Sequence, residues 1–149
     1  MIYDTATPYV AAYVLLRRAN TLAFVLRSHT GYMDGMYGLP SGKVEKNETF
    51  RAAAVREARE EIGVEIDPQV LQPALTMHRA GESGSSWVDV YFSVPTWQGE
   101  PSNAEPDKHG ELAWLAVDDL PANIVPSVRA GLQAMARGEF YSEFAWPTS

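Results

Sequence analysis

The sequence predicts an α/β sandwich, and three observations predict it. Runs rich in β-branched and aromatic residues recur along the chain. A helical stretch with an apolar stripe and an acidic face follows the second run. Another helical stretch closes the chain, and strands gathered around two such helices imply an α/β sandwich. At 149 residues and 46% hydrophobic content, one domain spanning 1–149 is expected, with a real core.

In chain order, Tyr9 to Arg18 reads as a strand through Val10, Val14, Leu15 and Leu16. Ala19-Asn20 makes a turn, and Thr21 to Arg27 reads as its hairpin partner. His29 to Gly38 is a loop rich in Gly, Tyr and Met. Tyr37 to Glu45 is dense in Gly and Pro, which implies a tight, shaped loop. Thr49 to Ile62 holds no Gly or Pro and is rich in Ala, Arg and Glu, so it reads as a helix stopped by Gly63. Phe50, Ala54, Ala58 and Ile62 form its apolar stripe, widened by Ala53 and Val55. Val70 to His78 is extended, with Pro73 marking an edge position or a bulge. Gly81 to Ser86 is a small polar connection, and Trp87 to Val94 is a strong strand. Trp97 to Gly110 is a long loop of the kind that often carries function. Leu112 to Val117 is a strand, Asp118 to Pro121 a turn, and Pro126 to Arg137 a helix with Val128, Leu132 and Met135 on one face. No internal repeat or low-complexity segment is present.

Charge and composition exclude several roles. A net charge of −7 argues against a nucleic-acid polymer as partner, because backbone binding needs Lys and Arg. It leaves open a single nucleotide. No cysteine is present, so there is neither a disulfide framework nor a thiolate metal site. His29, His78 and His109 have no zinc spacing and read as loop or core residues. Val10 to Leu16 is too short to span a bilayer, and no targeting segment precedes it, so a cytoplasmic protein is expected.

The chemistry concentrates in Gly42-x5-Glu48-x7-Arg56-Glu57-Ala58-x-Glu60-Glu61-x-Gly63-Val64. Chance assembly of these residues has odds on the order of 10⁻⁹ per starting position. Glu57, Glu60 and Glu61 sit at i, i+3 and i+4, so a helix projects them from one face. Three like charges there repel one another, and a divalent cation reverses that. Hard carboxylate ligands suit Mg²⁺ or Mn²⁺.

The segment 42–64 resembles the box of the Nudix hydrolases, in particular MutT-type nucleotide pyrophosphohydrolases, and a looser similarity runs from about Tyr9 to Trp146. The resemblance implies the Nudix fold, an α/β/α sandwich with a mixed central sheet. It implies Mg²⁺- or Mn²⁺-dependent hydrolysis of a nucleoside diphosphate linked to another group. Metal would be held by Glu57, Glu60, Glu61 and the backbone carbonyl of Ser41, with Glu105 or Glu111 as an additional acid and Glu105 favoured by its loop context. Glu48 and Arg56 would brace the loop and helix. Glu60 or Glu61 would act as the base. Many relatives carry Gly-Gly where this chain has Ser41-Gly42. Serine keeps the carbonyl but takes positive φ less readily, so altered local geometry is expected if residue 41 needs it.

Substrate contacts are sought in later features. Lys108, in Glu105-Pro106-Asp107-Lys108, is placed to meet a phosphate or to be a solvated loop lysine. Pro121-Ala122-Asn123 resembles the place where MutT-type relatives carry a base-reading asparagine, whose amide both donates and accepts. Arg27, at a strand end, is a candidate for an α-phosphate. Tyr37, with Tyr32, Phe92 and Trp146, is a candidate stacking surface. The expected reaction takes a (d)NTP to a nucleoside monophosphate and pyrophosphate, with damaged nucleotides among the candidate substrates. ADP-ribose, nucleotide sugars, dinucleoside polyphosphates and coenzyme A stay open, as does a non-hydrolysing nucleotide sensor. Relatives are often dimers, so a homodimer is among the expectations.

Overall fold

The computed structural model describes residues 4–147. Among these, β1 (Tyr9–Arg18) and β2 (Thr21–Arg27) form the expected first hairpin. Two short strands follow, β3 (Tyr37–Gly38) and β4 (Ser41–Lys43), then helix α1 (Phe50–Ile62). Strands β5 (Gln72–Ala80), β6 (Ser86–Val94) and β7 (His109–Ala116) precede helix α2 (Pro126–Ala136) and a last strand, β8 (Tyr141–Phe144).

β1 is the centre. It runs parallel to β6 from Tyr9–Trp87 to Leu16–Val94. Its other edge is shared by β4, at Ala11 to Tyr13, and by the start of β2, at Arg17 and Arg18. β5 lies between β6, antiparallel, and β8, parallel. β2 carries β3 and β7, both antiparallel. The sheet is therefore mixed.

β1 alternates its side chains between two cores. Ala12, Val14 and Leu16 pack with Ala53, Ala54, Ala58 and Ile62 of α1. Ala11, Tyr13 and Leu15 pack with Met77, Tyr91, and Val128 and Ala134 of α2. The two helices cover opposite faces, which makes the α/β/α sandwich. A strand covered on both faces reads as an unbroken apolar run, as Val10 to Leu16 does.

The ends of α1 follow from side-chain chemistry. Thr49 accepts the Ala52 N–H on its hydroxyl at 3.0 Å, and Gly63 stops the helix at φ 71°. Pro73 sits at a register shift between Pro73 and Leu75, the bulge reading. β5 begins two residues later than expected, because Asp67 accepts the Gln69 N–H and caps a short turn at Pro68–Val70. β7 starts three residues earlier than Leu112, since His109 already pairs with Arg27.

An ion pair is buried on the α2 side. Asp89 is fully buried, and the Arg79 guanidinium donates to it while lying 4.5 Å above the Trp87 ring. Removing one partner strands the other charge. Asp89→Ala is expected to cost about 3–5 kcal/mol in urea unfolding. A loss below about 1 kcal/mol would show that the guanidinium finds water or another acceptor.

Candidate active site

Arg56 is the hub of the box. It makes a two-pronged contact with Glu48 at 2.8 and 3.0 Å, donates to Glu57 at 2.7 Å, and donates to the Lys43 carbonyl at 3.1 Å. Glu48 also accepts the Glu45 N–H at 2.9 Å. Hydrogen bonding from Arg56 holds the Glu48 carboxyl below its usual range, and Glu48 raises Arg56 in turn. One guanidinium thus ties α1 to the loop and to β4.

The acidic face divides by depth. Glu61 is 8% exposed and accepts the Ser41 N–H at 2.7 Å. Burial, then the neighbouring Glu57 charge, pushes its pKa well above the usual value. Glu57 is also pushed up by burial, against the pull of Arg56. Glu60 is half exposed and stands 3.4 Å from Arg56.

Backbone register explains why β4 meets these carboxylates. Val14 N–H bonds to the Pro40 carbonyl and Val44 N–H to the Val10 carbonyl. Antiparallel alternation then turns Gly42 toward β1 and turns the polar groups of Ser41 and Lys43 toward α1. Ser41 N–H reaches Glu61, and the Lys43 carbonyl reaches Arg56, on that same edge. The Ser41 carbonyl is thereby left free of the β1 ladder. Neither Ser41 nor Gly42 has positive φ, so serine carries no conformational penalty here. Gly42 is required for space instead: a Cβ there would overlap the Glu57 carboxylate.

Glu105 joins from the loop before β7. The Lys108 and His109 N–H groups both bond to the Glu105 carbonyl at 3.0 Å, and this turn brings residues 105 and 109 together. Glu61, Glu105 and His109 each offer an atom within 4.8 Å of the others. Lys108 stands 3.5 Å from Glu105. His109, read from sequence as a loop or core residue, is 3% exposed and held neutral by burial. Its signal was the Glu105-x3-His109 spacing, which brings the two together only once Pro106-Asp107 forms a turn.

The donor set fits a divalent cation. Glu61 is buried with, among the described residues, only the neutral His109 within ion-pair distance, and Glu57 and Glu105 add like charge to it. Glu57, Glu61, Glu105 and the Ser41 carbonyl are the groups that would hold the ion.

A cavity of about 940 Å³ opens over this face. Arg27, Ser41, Arg56, Glu57, Glu60, Glu61, Glu105 and Lys108 line it, as do Tyr32, Arg79 and Trp87. Tyr37, Glu48, Glu111 and Asn123 stand outside the lining. Arg27 holds the neighbouring loop, donating to the Tyr32 carbonyl at 2.8 Å and to Thr30 at 3.3 Å. Asn123 donates its side-chain amide to the Gly35 carbonyl at 3.0 Å, and its backbone carbonyl accepts the Tyr37 N–H at 2.7 Å. Tyr37 donates its hydroxyl to Glu111, which raises the phenol pKa. The stacking surface is corrected in part. Phe92 is 2% exposed within the α1-side core, because its strand parity points it away from the cavity. Trp146 also stands outside the lining and donates to the His78 carbonyl at 2.8 Å.

Comparison with known proteins agrees with this geometry. The NUDIX domain family matches residues 7–135. A putative nudix hydrolase 1 from Caenorhabditis elegans is 31% identical over 120 residues, covering 78% of this chain. This chain spans only 31% of that relative's length. The 8-oxo-dGTP diphosphatase of Escherichia coli K12 is 27% identical over 114 residues, covering 75% of this chain and 86% of that protein. A MutT NUDIX hydrolase structure from Burkholderia pseudomallei superposes with a TM-score of 0.77 at 29% identity, covering 85% of this chain and 97% of the other. Among the described residues, no helix is long and apolar enough to cross a membrane. The family match spans most of the chain and places the protein in the NUDIX family of hydrolases, with the MutT-like form of the fold.

Proposed function

We propose that the chain, acting as one domain over 1–149, is a Mg²⁺- or Mn²⁺-dependent pyrophosphohydrolase of free nucleotides. Its preferred reaction would convert a nucleoside triphosphate to a monophosphate and pyrophosphate. The observation that carries this is the gathering of Glu57, Glu61 and Glu105 in one wall of a cavity of about 940 Å³. That volume suits a nucleotide-sized ligand.

A divalent cation, when bound, neutralises phosphate charge and lowers the pKa of a coordinated water. The chain's own residues do the rest. Arg27 and Lys108, both in the cavity lining, meet the anionic phosphates. Glu61, fixed by Ser41 N–H, holds the ion, and Glu60, half exposed in the same wall, takes the proton. Arg56 and Glu48 keep the helix and β4 in register. Tyr37 and Asn123 act on the substrate through the loop 28–36 that they anchor, with Tyr32 offering a ring face to the base. Glu60→Gln is then expected to lower turnover about 10²–10⁴-fold with Mn²⁺ affinity within a few-fold of wild type. Turnover near wild type would remove Glu60 as the base.

The name of the Escherichia coli relative points to oxidised purine nucleotides as the first substrates to try. A phosphate-release screen, coupled to pyrophosphatase or phosphatase and run with Mg²⁺, Mn²⁺ or EDTA, tests the reading. The panel holds ordinary and oxidised nucleoside triphosphates, ADP-ribose, nucleotide sugars, diadenosine polyphosphates and coenzyme A. Selective, EDTA-sensitive cleavage of one triphosphate is expected. Cleavage of ADP-ribose or a nucleotide sugar would keep the chemistry and change the substrate. No cleavage with measurable nucleotide binding would indicate a sensor.

A further inference from the structure

His109 is the least explained polar side chain in the cavity wall. It is 3% exposed, its Nδ1 has no hydrogen-bond partner among the described residues, and its Nε2 stands 3.5 Å from Glu61 Oε1 without bonding to it. A buried imidazole with no hydrogen bond costs free energy, and such groups are rare unless a ligand completes them. The ring faces two carboxylates, Glu61 and Glu105, across a space in which all three donor atoms lie within 4.8 Å.

Its backbone is fixed. His109 N–H bonds to the Glu105 carbonyl at 3.0 Å, and its own carbonyl accepts the Asn103 amide at 2.8 Å. The Asn103 amide oxygen is itself buried and without a partner. Two residues already joined by one hydrogen bond thus carry complementary unpaired atoms. The tautomer with its proton on Nδ1 leaves the Nε2 lone pair facing the carboxylates. The hydrogen bond from the Asn103 amide fixes the backbone that carries the ring.

We propose that His109, held through its backbone carbonyl by Asn103, is a nitrogen ligand of the cation in this site, so that Glu61, Glu105 and His109 form a mixed oxygen and nitrogen donor set. The inference rests on the metal-dependent reading above. Imidazole suits first-row transition ions, whereas Mg²⁺ keeps to oxygen. The site therefore discriminates against Mg²⁺ more strongly than an all-carboxylate one.

The test is pulsed EPR of the full chain loaded with Mn²⁺ alone. The expected spectrum shows coupling to a directly bound ¹⁴N. That pattern changes to the ¹⁵N form when the protein is made with ¹⁵N-labelled histidine, which needs no substitution. Of the three histidines, only His109 lines the cavity. His109→Gln is expected to remove the coupling and weaken Mn²⁺ binding at least about tenfold, with Mg²⁺ affinity little changed. Bound Mn²⁺ without nitrogen coupling in the wild type would overturn the ligand assignment and leave the metal-dependent reading intact. Absence of any Mn²⁺ binding would overturn both. A coupling that survives in folded His109→Gln would place the nitrogen elsewhere and overturn the proposal.

Discussion

Glu61→Gln is expected to raise the melting temperature of the metal-free protein while lowering turnover by at least about a thousandfold. The two effects share one cause. Glu61 is 8% exposed, beside the Glu57 and Glu105 charges, and its pKa is raised well above the ordinary 4.5. In the folded, metal-free state it binds its proton more tightly than in the unfolded chain. Its contribution is therefore complete below pH 4.5 and is lost as pH rises through the raised folded value. Above pH 4.5, ionisation of this carboxyl favours the unfolded chain. Glutamine keeps an oxygen to accept the Ser41 N–H and carries no charge to desolvate. Each pKa unit removed corresponds to about 1.4 kcal/mol, or roughly 2–4 °C per kcal/mol in a chain of this size. Calorimetry in EDTA across pH 5 to 8 is the measurement, and the variant should gain most at the upper end. A lower melting temperature throughout would mean that the charge is needed by the fold. Adding Mn²⁺ should reverse the order, because the wild type gains a bound ion and the variant gains less.

Gly42→Ala is expected to cost about a hundredfold in turnover with stability within about 1 kcal/mol of wild type. The added methyl would occupy the place of the Glu57 carboxylate. That carboxylate ends a flexible side chain, so it swings aside at little cost, and the lost strand glycine even lowers unfolded-state entropy. What is lost is the close approach of β4 to the acidic face. Activity and Mn²⁺ affinity, set beside a urea melt, separate the two effects. The cycle with Glu57→Ala should be strongly non-additive, since both changes remove the same carboxylate from the same place. A melt lowered by several kcal/mol would show that β4, rather than Glu57, gives way.

The elements legible in the sequence are those with local causes. Thr49 and Gly63 bound α1 because one caps and the other accepts φ 71°. β1 and β2 have the lengths and residue types that strands need. β3, β4 and β8 escaped, since runs of two to four residues are too short to show a period, and partners far along the chain create them. The same division holds in the site. The box residues could be named because their spacing is helical. His109 could not, because its meeting with Glu61 depends on β7 pairing to β2 and on the turn at 105–109. Phe92 was misread although its parity was available: Asp89 and Tyr91 share one face of β6, and Val90 and Phe92 the other.

β8 has a consequence for how substrate preference can change. The NUDIX match ends at residue 135, before β8 begins. Yet Phe144, the last residue of β8, and Ala145 after it stand in the cavity wall. The pocket wall thus has two parts. In one, changes disturb the carboxylates and their braces. The other is β8, which pairs alongside β5 and carries none of the carboxylates Glu57, Glu60, Glu61 and Glu105. New substrate preference has a route through residues 137–147 that leaves the hydrolytic apparatus as it is.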